Sequence, residues 1–418
     1  MNLLIKNIKA LLQTETIFRE KICGKDMSVL NKIEDAWIYI EEDTIIGFGE
    51  MKNCPDSYNE QANIKIIDAT GKIVLPCWCD SHTHIVYAGS REREFVDRIN
   101  GLSYEEIAKK GGGILNSAKR LQQTSEEDLL KQALERTNEI MMMGTGAVEI
   151  KSGYGLTVQD EIKMLRVIKK LKTISPLEIK STFLGAHAMP VEYKNNRSEY
   201  IRQITDEMLP LIAEEKLADY CDVFCDRGFF TPEETEIILK AGWKYGLQPK
   251  IHANELDYSG GIQVGVNNKA LSVDHLEFTG DAEIFALKDT VTMPTLLPST
   301  AFFLGLHYPP ARKMIDAGLP VALASDYNPG SSPSGKMSFI LSLACIKMKM
   351  TPEEAINAAT LNSAYAMGIN KEYGSIAIGK KANLIITSKI SSYVYIPYAF
   401  GANHIETVII KGEIMSKN

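Results

Sequence analysis

The sequence predicts an α/β protein: a (β/α)8 barrel of the TIM type with a small β-sandwich domain built from both chain ends. Three observations carry this. From about residue 77 to residue 370, eight short apolar runs alternate with longer helical patterns. Both flanks of that region are β-prone instead. The chain has 418 residues, enough for one large barrel and a smaller unit. The expected division is 1–76 and 373–418 for the two parts of the small domain, and 77–372 for the barrel.

Taken in order, the N-terminal part holds Ala36-Trp37-Ile38-Tyr39-Ile40, Thr44-Ile45-Ile46-Gly47-Phe48 and Ile64-Lys65-Ile66-Ile67-Asp68, parted by polar turns. A turn at 68–72 leads into Ile73-Val74-Leu75. The apolar start of the chain is broken by Lys6 and Lys9. It has no basic leader and no small-residue cleavage site, so it does not read as a signal peptide. The barrel strands are expected at 77–81, 147–151, 179–184, 220–225, 248–252, 271–274, 290–295 and 321–324. Helical patterns lie between several of them, one over 128–136. Thr231-Pro232-Glu233-Glu234 and Thr351-Pro352-Glu353-Glu354 each place an N-cap residue before a proline in the first turn. Leu384-Ile385-Ile386-Thr387 and Thr407-Val408-Ile409-Ile410 return the chain to β character.

Bulk properties narrow the function classes. Fifty-three acidic and 46 basic residues give a net charge of −7, evenly spread. That balance argues against nucleic acid or an anionic membrane as partner. No apolar run approaches membrane-span length. Seven cysteines lack the tight spacing of a disulfide framework, so free thiols in a reducing cytoplasm are expected. Cys77-Trp78-Cys79 lacks the second pair that a thiolate metal site normally needs.

The histidines carry the chemistry. There are only seven, yet His82 and His84 stand two apart at the end of the first barrel strand. Residues two apart on a strand share a face, so these two can grip one metal ion from one side. Catalytic groups of such barrels sit at the C-terminal ends of the strands. There the sequence places Tyr154, His187, His252, His275 and Asp326 after the second, third, fifth, sixth and eighth strands. His252 and Asp326 can complete the metal shell. Three imidazoles and a carboxylate suit Zn²⁺ and tolerate iron or manganese. His307 and His404 have no motif around them and read as structural.

These residues resemble the amidohydrolase superfamily, whose metal-dependent barrels carry an H-x-H signature like Asp80-Ser81-His82-Thr83-His84. Further stretches narrow the resemblance to the imidazolonepropionase family. They include His84-Ile85-Val86-Tyr87-Ala88-Gly89-Ser90-Arg91, Gly111-Gly112-Gly113-Ile114, Glu149-Ile150-Lys151-Ser152-Gly153-Tyr154-Gly155-Leu156, His252-Ala253-Asn254-Glu255, Asp274-His275-Leu276 and Ser325-Asp326-Tyr327-Asn328-Pro329-Gly330-Ser331. The likeness runs in order over nearly the whole chain. It implies hydrolysis of the ring amide C–N bond of 4-imidazolone-5-propanoate to N-formimidoyl-L-glutamate, in histidine breakdown. It also implies one Zn²⁺ or Fe³⁺ per chain on His82, His84, His252 and Asp326. Arg91, Tyr154, His187, Glu255, Asn328, Gly330 and Ser331 would line the substrate, and a homodimer is suggested. Two departures are visible: Cys77 where glycine is common, and Asn383 for aspartate in Gly379-Lys380-Lys381-Ala382-Asn383-Leu384.

The chemistry fits these residue types. Glu255 lies three residues beyond His252 and can reach the attacking water as general base, with Asp326 as the competing shuttle. His275 can donate to a developing oxyanion, or else partner Asp274. A guanidinium at Arg91 can bind the substrate's carboxylate bidentately, while Arg93 belongs to a solvated charge run. Tyr154 can bond the carboxylate or the ring, and His187 the ring. Two-metal relatives use a carbamylated lysine near the fourth strand. The stretch Val223-Phe224-Cys225-Asp226 has none, and Lys151 is misplaced for that role, so one metal is expected. The rivals are a metal-dependent deaminase or another cyclic amidohydrolase and, in a different class, a barrel that has lost its metal and only binds. Every expected ligand is present here.

Overall fold

The structure, a computed structural model, describes residues 2–58, 64–102, 106 and 112–416. Gly111 of the glycine run lies outside the described residues. Five strands precede the barrel: β1 (Asn2–Leu12), β2 (Lys32–Glu41), β3 (Thr44–Glu50), β4 (Ile64–Asp68) and β5 (Ile73–Pro76). The barrel follows as β6 (Trp78–Thr83), β7 (Thr145–Lys151), β8 (Glu178–Ala186), β9 (Tyr220–Cys225), β10 (Gln248–Ala253), β11 (Ser272–His275), β12 (Met293–Leu296) and β13 (Ala322–Leu323). The C-terminal strands are β14 (Leu384–Thr387), β15 (Ile405–Ile410) and β16 (Glu413–Ile414).

The small sheet joins both chain ends because β5 pairs antiparallel with β14. β1, which the broken apolar start did not announce as a strand, is its centre. One edge pairs with β2, and the other forks between β4 and β5. Leu3, Ile5 and Leu11 of β1 pack with Ile38 and Ile40 of β2 and Leu384 and Ile386 of β14 in one buried cluster. Lys9, on the outer face, ties its ammonium to the carbonyls of Ile390 and Ser391.

All eight barrel strands stand where they were expected, parallel and side by side in chain order. The expected caps also form. Thr231 and Thr351 build capping boxes with Glu234 and Glu354; the helix expected over 128–136 spans Glu126–Met142, with an unanticipated cap at Ser125. Strand bounds shift at the ends. The first strand runs on through Thr83, with its pairing to β7 slipping between Asp80 and Thr83. The last shortens to two residues, because Asp326 takes φ 53 and turns the chain out of the strand.

No ladder joins β13 to β6; single contacts close the barrel instead. The Asp326 N–H donates to the His82 carbonyl at 3.0 Å, and the His84 N–H to the Tyr327 carbonyl at 2.9 Å. Asp80, fully buried in β6, accepts the Ser325 N–H at 2.9 Å and the Ser325 hydroxyl at 2.5 Å. Burial pushes the Asp80 carboxyl up to about 7, and these bonds oppose the push. Barrel closure and the H-x-H pair are thus one structure.

Both departures from the family pattern meet where the small sheet joins the barrel. Asn383 donates through Nδ2 to the Gly146 carbonyl at 3.1 Å and accepts the Lys411 N–H at 2.8 Å. An aspartate has no N–H for the first bond. A Cβ on Gly146 would lie 2.5 Å from the Cys77 Cβ, so Cys77 requires glycine opposite. Gly146→Ala is therefore expected to destabilise the protein by about 1–3 kcal/mol. Cys77→Gly should restore part of that loss in the double variant. Urea midpoints at unchanged m-value check both statements.

Candidate active site

The C-terminal ends of the barrel strands open on one cavity of about 420 Å³. It is lined by His84, Arg91, Tyr154, His187, His252, Glu255, His275, Asp326, Asn328, Gly330 and Ser331. His82 lies just beneath, fully buried. Every residue singled out from the sequence as a ligand, catalyst or substrate contact is therefore gathered at one place. His307 and His404 do not line this cavity. His307 contacts the Glu277 carbonyl at 3.0 Å instead.

The four candidate ligands converge. The Nε2 atoms of His82 and His84 are 3.3 Å apart, and those of His84 and His252 are 3.4 Å apart. Asp326 Oδ1 stands 3.6 Å from His82 Nε2 and 3.5 Å from His84 Nε2. The opposite ring nitrogens explain the orientation. His82 Nδ1 lies 2.7 Å from the Asp274 carboxylate and His252 Nδ1 3.1 Å from that of Asp222. A carboxylate only accepts, so each Nδ1 carries the proton and each Nε2 presents a lone pair. Burial, reinforced by neighbouring cations, holds His82 far below the ordinary imidazole pKa; burial and neighbouring His187 do the same for His84. Lone pairs and a carboxylate facing one another repel unless a cation lies between them. Ligand bonds of about 2.0–2.1 Å in a tetrahedral shell put donors about 3.3–3.4 Å apart, so this donor set fits a metal ion. His275 also lies close enough to His82 and Asp326 to share a cation with them.

Beneath the histidines runs a buried ion ladder. Lys151 Nζ meets Glu149 at 2.6 Å, Asp222 at 2.8 Å and Asp274 at 3.6 Å. Lys250 is bonded to Glu149 from the other side and donates to the Ser81 carbonyl at 3.3 Å. All five side chains are fully buried. Burial and nearby His252 and Lys151 act on Asp222 in opposite senses, and the net effect holds it far below the carboxylate range. Sequence reasoning did not assign Asp222 to His252. It offered Asp274 as a partner of His275 only as the alternative to an oxyanion donor, and the structure does not form that pair. His275 has φ 85, which swings its ring away, and Asp274 serves His82.

His275 Nδ1 faces Glu255 Oε2 at 3.7 Å and Glu277 Oε2 at 3.9 Å. The backbone N–H groups of Glu255 and Leu256 donate to Asp226 at 2.7 and 2.8 Å, which fixes the loop beyond β10. Burial, then the carboxylates of Asp326 and Asp226, push the Glu255 carboxyl up to about 8. Asp326 is pushed up to about 6 by burial while the Thr300 hydroxyl donates to it at 2.6 Å. Asn254, His275, Leu276 and Asp326 all have positive φ, so left-handed non-glycine backbone concentrates at this site.

On the cavity's far wall, Arg91 is bound by Glu94 through Nε at 2.8 Å and Nη2 at 2.5 Å. A Cβ on Gly330 would lie 2.1 Å from Arg91 Nη1, so the guanidinium needs glycine there. Asn328 accepts the N–H groups of Gly330 and Ser331 at 2.7 and 2.8 Å and shapes that loop. His187 Nδ1 donates to the Gly153 carbonyl at 3.0 Å, and its ring stacks on His84 at 5.2 Å. Burial, then nearby His252, lowers His187 to about 3, so Nε2 faces outward as an acceptor. Sequence reasoning missed Arg98, Leu304 and Leu306 in the lining, and Phe224 stacked on Phe229 at 4.0 Å. Only the position of Phe229, just past the end of β9, could have pointed to it.

Comparison with known proteins agrees with this geometry. The model of the amidohydrolase family matches residues 73–415. Imidazolonepropionase of Flavobacterium johnsoniae is 60% identical over 412 residues, 99% of either chain. That of Geobacillus kaustophilus is 45% identical over 390 residues, 93% of this chain and 92% of its own. Among solved structures, guanine deaminase of E. coli aligns over 100% of this chain and 99% of its own, with TM-score 0.73 and 14% identity. A zinc-bound adenosine deaminase from Xanthomonas campestris aligns over 99% of this chain and 92% of its own, with TM-score 0.72 and 14% identity. Those two share the fold. On the span of the family match and the identity to its relatives, the chain belongs to the imidazolonepropionases, within the amidohydrolase family.

Proposed function

We propose that this cavity hydrolyses 4-imidazolone-5-propanoate to N-formimidoyl-L-glutamate, the third step of L-histidine degradation. The observation that carries the reading is the convergence of three imidazole Nε2 atoms and Asp326 beside Glu255 in one cavity that also holds Arg91. His82, His84, His252 and Asp326 would hold one Zn²⁺ or Fe³⁺. When bound, such an ion supplies Lewis acidity for the ring carbonyl and lowers the pKa of water from 15.7 to about 7.

The chain's own groups do the rest. Arg91, braced by Glu94, takes the propanoate. Tyr154 and the outward Nε2 of His187 orient the ring, with Asn328 shaping the Gly330–Ser331 wall. Glu255 accepts a proton from the attacking water and returns it to the ring nitrogen as the amide C–N bond breaks. The water oxygen stays on the carbonyl carbon as a new carboxylate, and the freed nitrogen becomes the terminal nitrogen of the formimidoyl group, whose carbon stays bonded to the other ring nitrogen. His275, kept neutral by burial, donates to the developing oxyanion. Asp326 is the alternative shuttle. Free cysteines throughout the described residues support a reducing cytoplasmic setting, and no described helix is long and apolar enough to cross a membrane. A homodimer belongs to the same reading; sedimentation tests it. The rival deaminase reading keeps the same metal shell, but Arg91 favours an anionic substrate.

The direct test follows the imidazolone ultraviolet band with purified protein and measures bound metal. Loss of the band with about one metal per chain supports the reading, whereas an unchanged band from metallated protein rejects it. His82→Ala should lose bound metal, read by metal analysis, and with it activity. Glu255→Gln should keep metal and KM while kcat falls by about 10²–10⁴. Glu255 must be ionised to act, so kcat/KM should fall as pH drops through its pKa. A bound cation draws that pKa below 8, and the acid limb should disappear in Glu255→Gln. Gly330→Ala should displace Arg91 and raise KM by about tenfold with kcat little changed.

A further inference from the structure

The loop that carries Tyr154 is built around a carboxylate that the chemistry above does not use. Gly153 has φ +112 and Leu156 φ +57, so successive N–H groups turn inward and form an anion-binding concavity. Glu161, from the helix Val158–Ile174, fills it and is fully buried. The Gly153 N–H donates to Oε2 at 3.0 Å, and those of Gly155 and Leu156 to Oε1 at 2.7 and 3.0 Å. The Ser152 hydroxyl also bonds the carboxyl. Burial pushes this carboxyl up, and the four donors oppose the push. The helix fits closely because a Cβ on Gly155 would lie 2.3 Å from the Glu161 nitrogen.

Two cavity groups depend on this loop. Tyr154 sits between Gly153 and Gly155, with its ring 5.9 Å from His84 and 5.5 Å from His187. The Gly153 carbonyl receives His187 Nδ1 and so fixes which His187 nitrogen faces the cavity. A left-handed leucine is strained and needs such bonds to persist.

We propose that Glu161 is a positioning residue for the hydrolysis: by gathering the 153–156 loop it sets the Tyr154 ring and the His187 tautomer against the substrate. This rests on the reading of Tyr154 and His187 as substrate contacts. Glutamine at 161 keeps the shape but offers one acceptor oxygen where three N–H groups use two.

Steady-state kinetics and metal content of Glu161→Gln, Tyr154→Phe and the double variant test it. The expected result is a loss in kcat/KM of about tenfold to 100-fold for Glu161→Gln with bound metal unchanged. Added to Tyr154→Phe, the same change should cost less than about threefold more, because both act through one loop. Glu161→Asp, which keeps the charge, should recover part of the loss, and serves the same cycle should the glutamine variant fail to fold. Losses that multiply in the double variant, or wild-type kinetics for Glu161→Gln, overturn the proposal. A silent Tyr154→Phe strikes the reading of Tyr154 as a substrate contact and overturns the Tyr154 half of the proposal, since Glu161 would then act through His187 alone.

Discussion

The Lys151–Asp222 contact at the floor of the barrel is the constraint on which the site depends. A buried ammonium unpaired would cost several kcal/mol, so Lys151 must be surrounded by carboxylates. Glu149, Asp222 and Asp274 supply them, and Lys250 shares Glu149. Two of those carboxylates then have their other oxygens or edges turned toward His252 and His82. Tautomer, ring orientation and lone-pair direction at the histidines all follow. Counted with Asp326, the ladder holds four carboxylates against two ammonium groups. Two negative charges are left over, which a divalent cation would match.

The same device recurs farther out: a carboxylate collects backbone N–H groups and thereby aims a functional side chain. Asp226 holds the Glu255 loop, Glu161 the Tyr154 loop and Asp80 the strand-end residue before Asp326. Glu94 does the equivalent for a side chain, gripping Arg91 while also accepting the Gly113 N–H. Each satisfies backbone or guanidinium donors that would be costly to leave unpaired. The left-handed residues at Asn254, His275 and Asp326 persist inside this framework.

Much of this was legible in the sequence, and the reason is periodicity. Barrel strands buried on both faces read as apolar runs, and a polar residue ending such a run stands out. His82, His84, His187, His252, His275 and Asp326 were visible on that ground. Their supports were not. Asp222 and Lys250 face inward mid-strand, where nothing nearby in the chain marks them, and their partners lie on other staves. The local pair Asp274-His275 suggested a contact between neighbours, yet His275 leaves strand geometry at φ 85, and both side chains turn to partners on other staves, Asp274 to His82 and His275 toward Glu255. β1 was missed because its bulge between Ile5 and Ile8 breaks the alternation that would announce a strand.

The seam between β6 and β13 has a consequence for biosynthesis. Asp80 and Ser325, which close the barrel, are 245 residues apart in the chain. During synthesis the H-x-H pair emerges early, but the Asp326 carboxylate that faces it and the bonds that pin the His82 and His84 backbones arrive only with residues 325–327. One closing event late in the chain thus completes both the barrel and the cluster of His82, His84, His252 and Asp326.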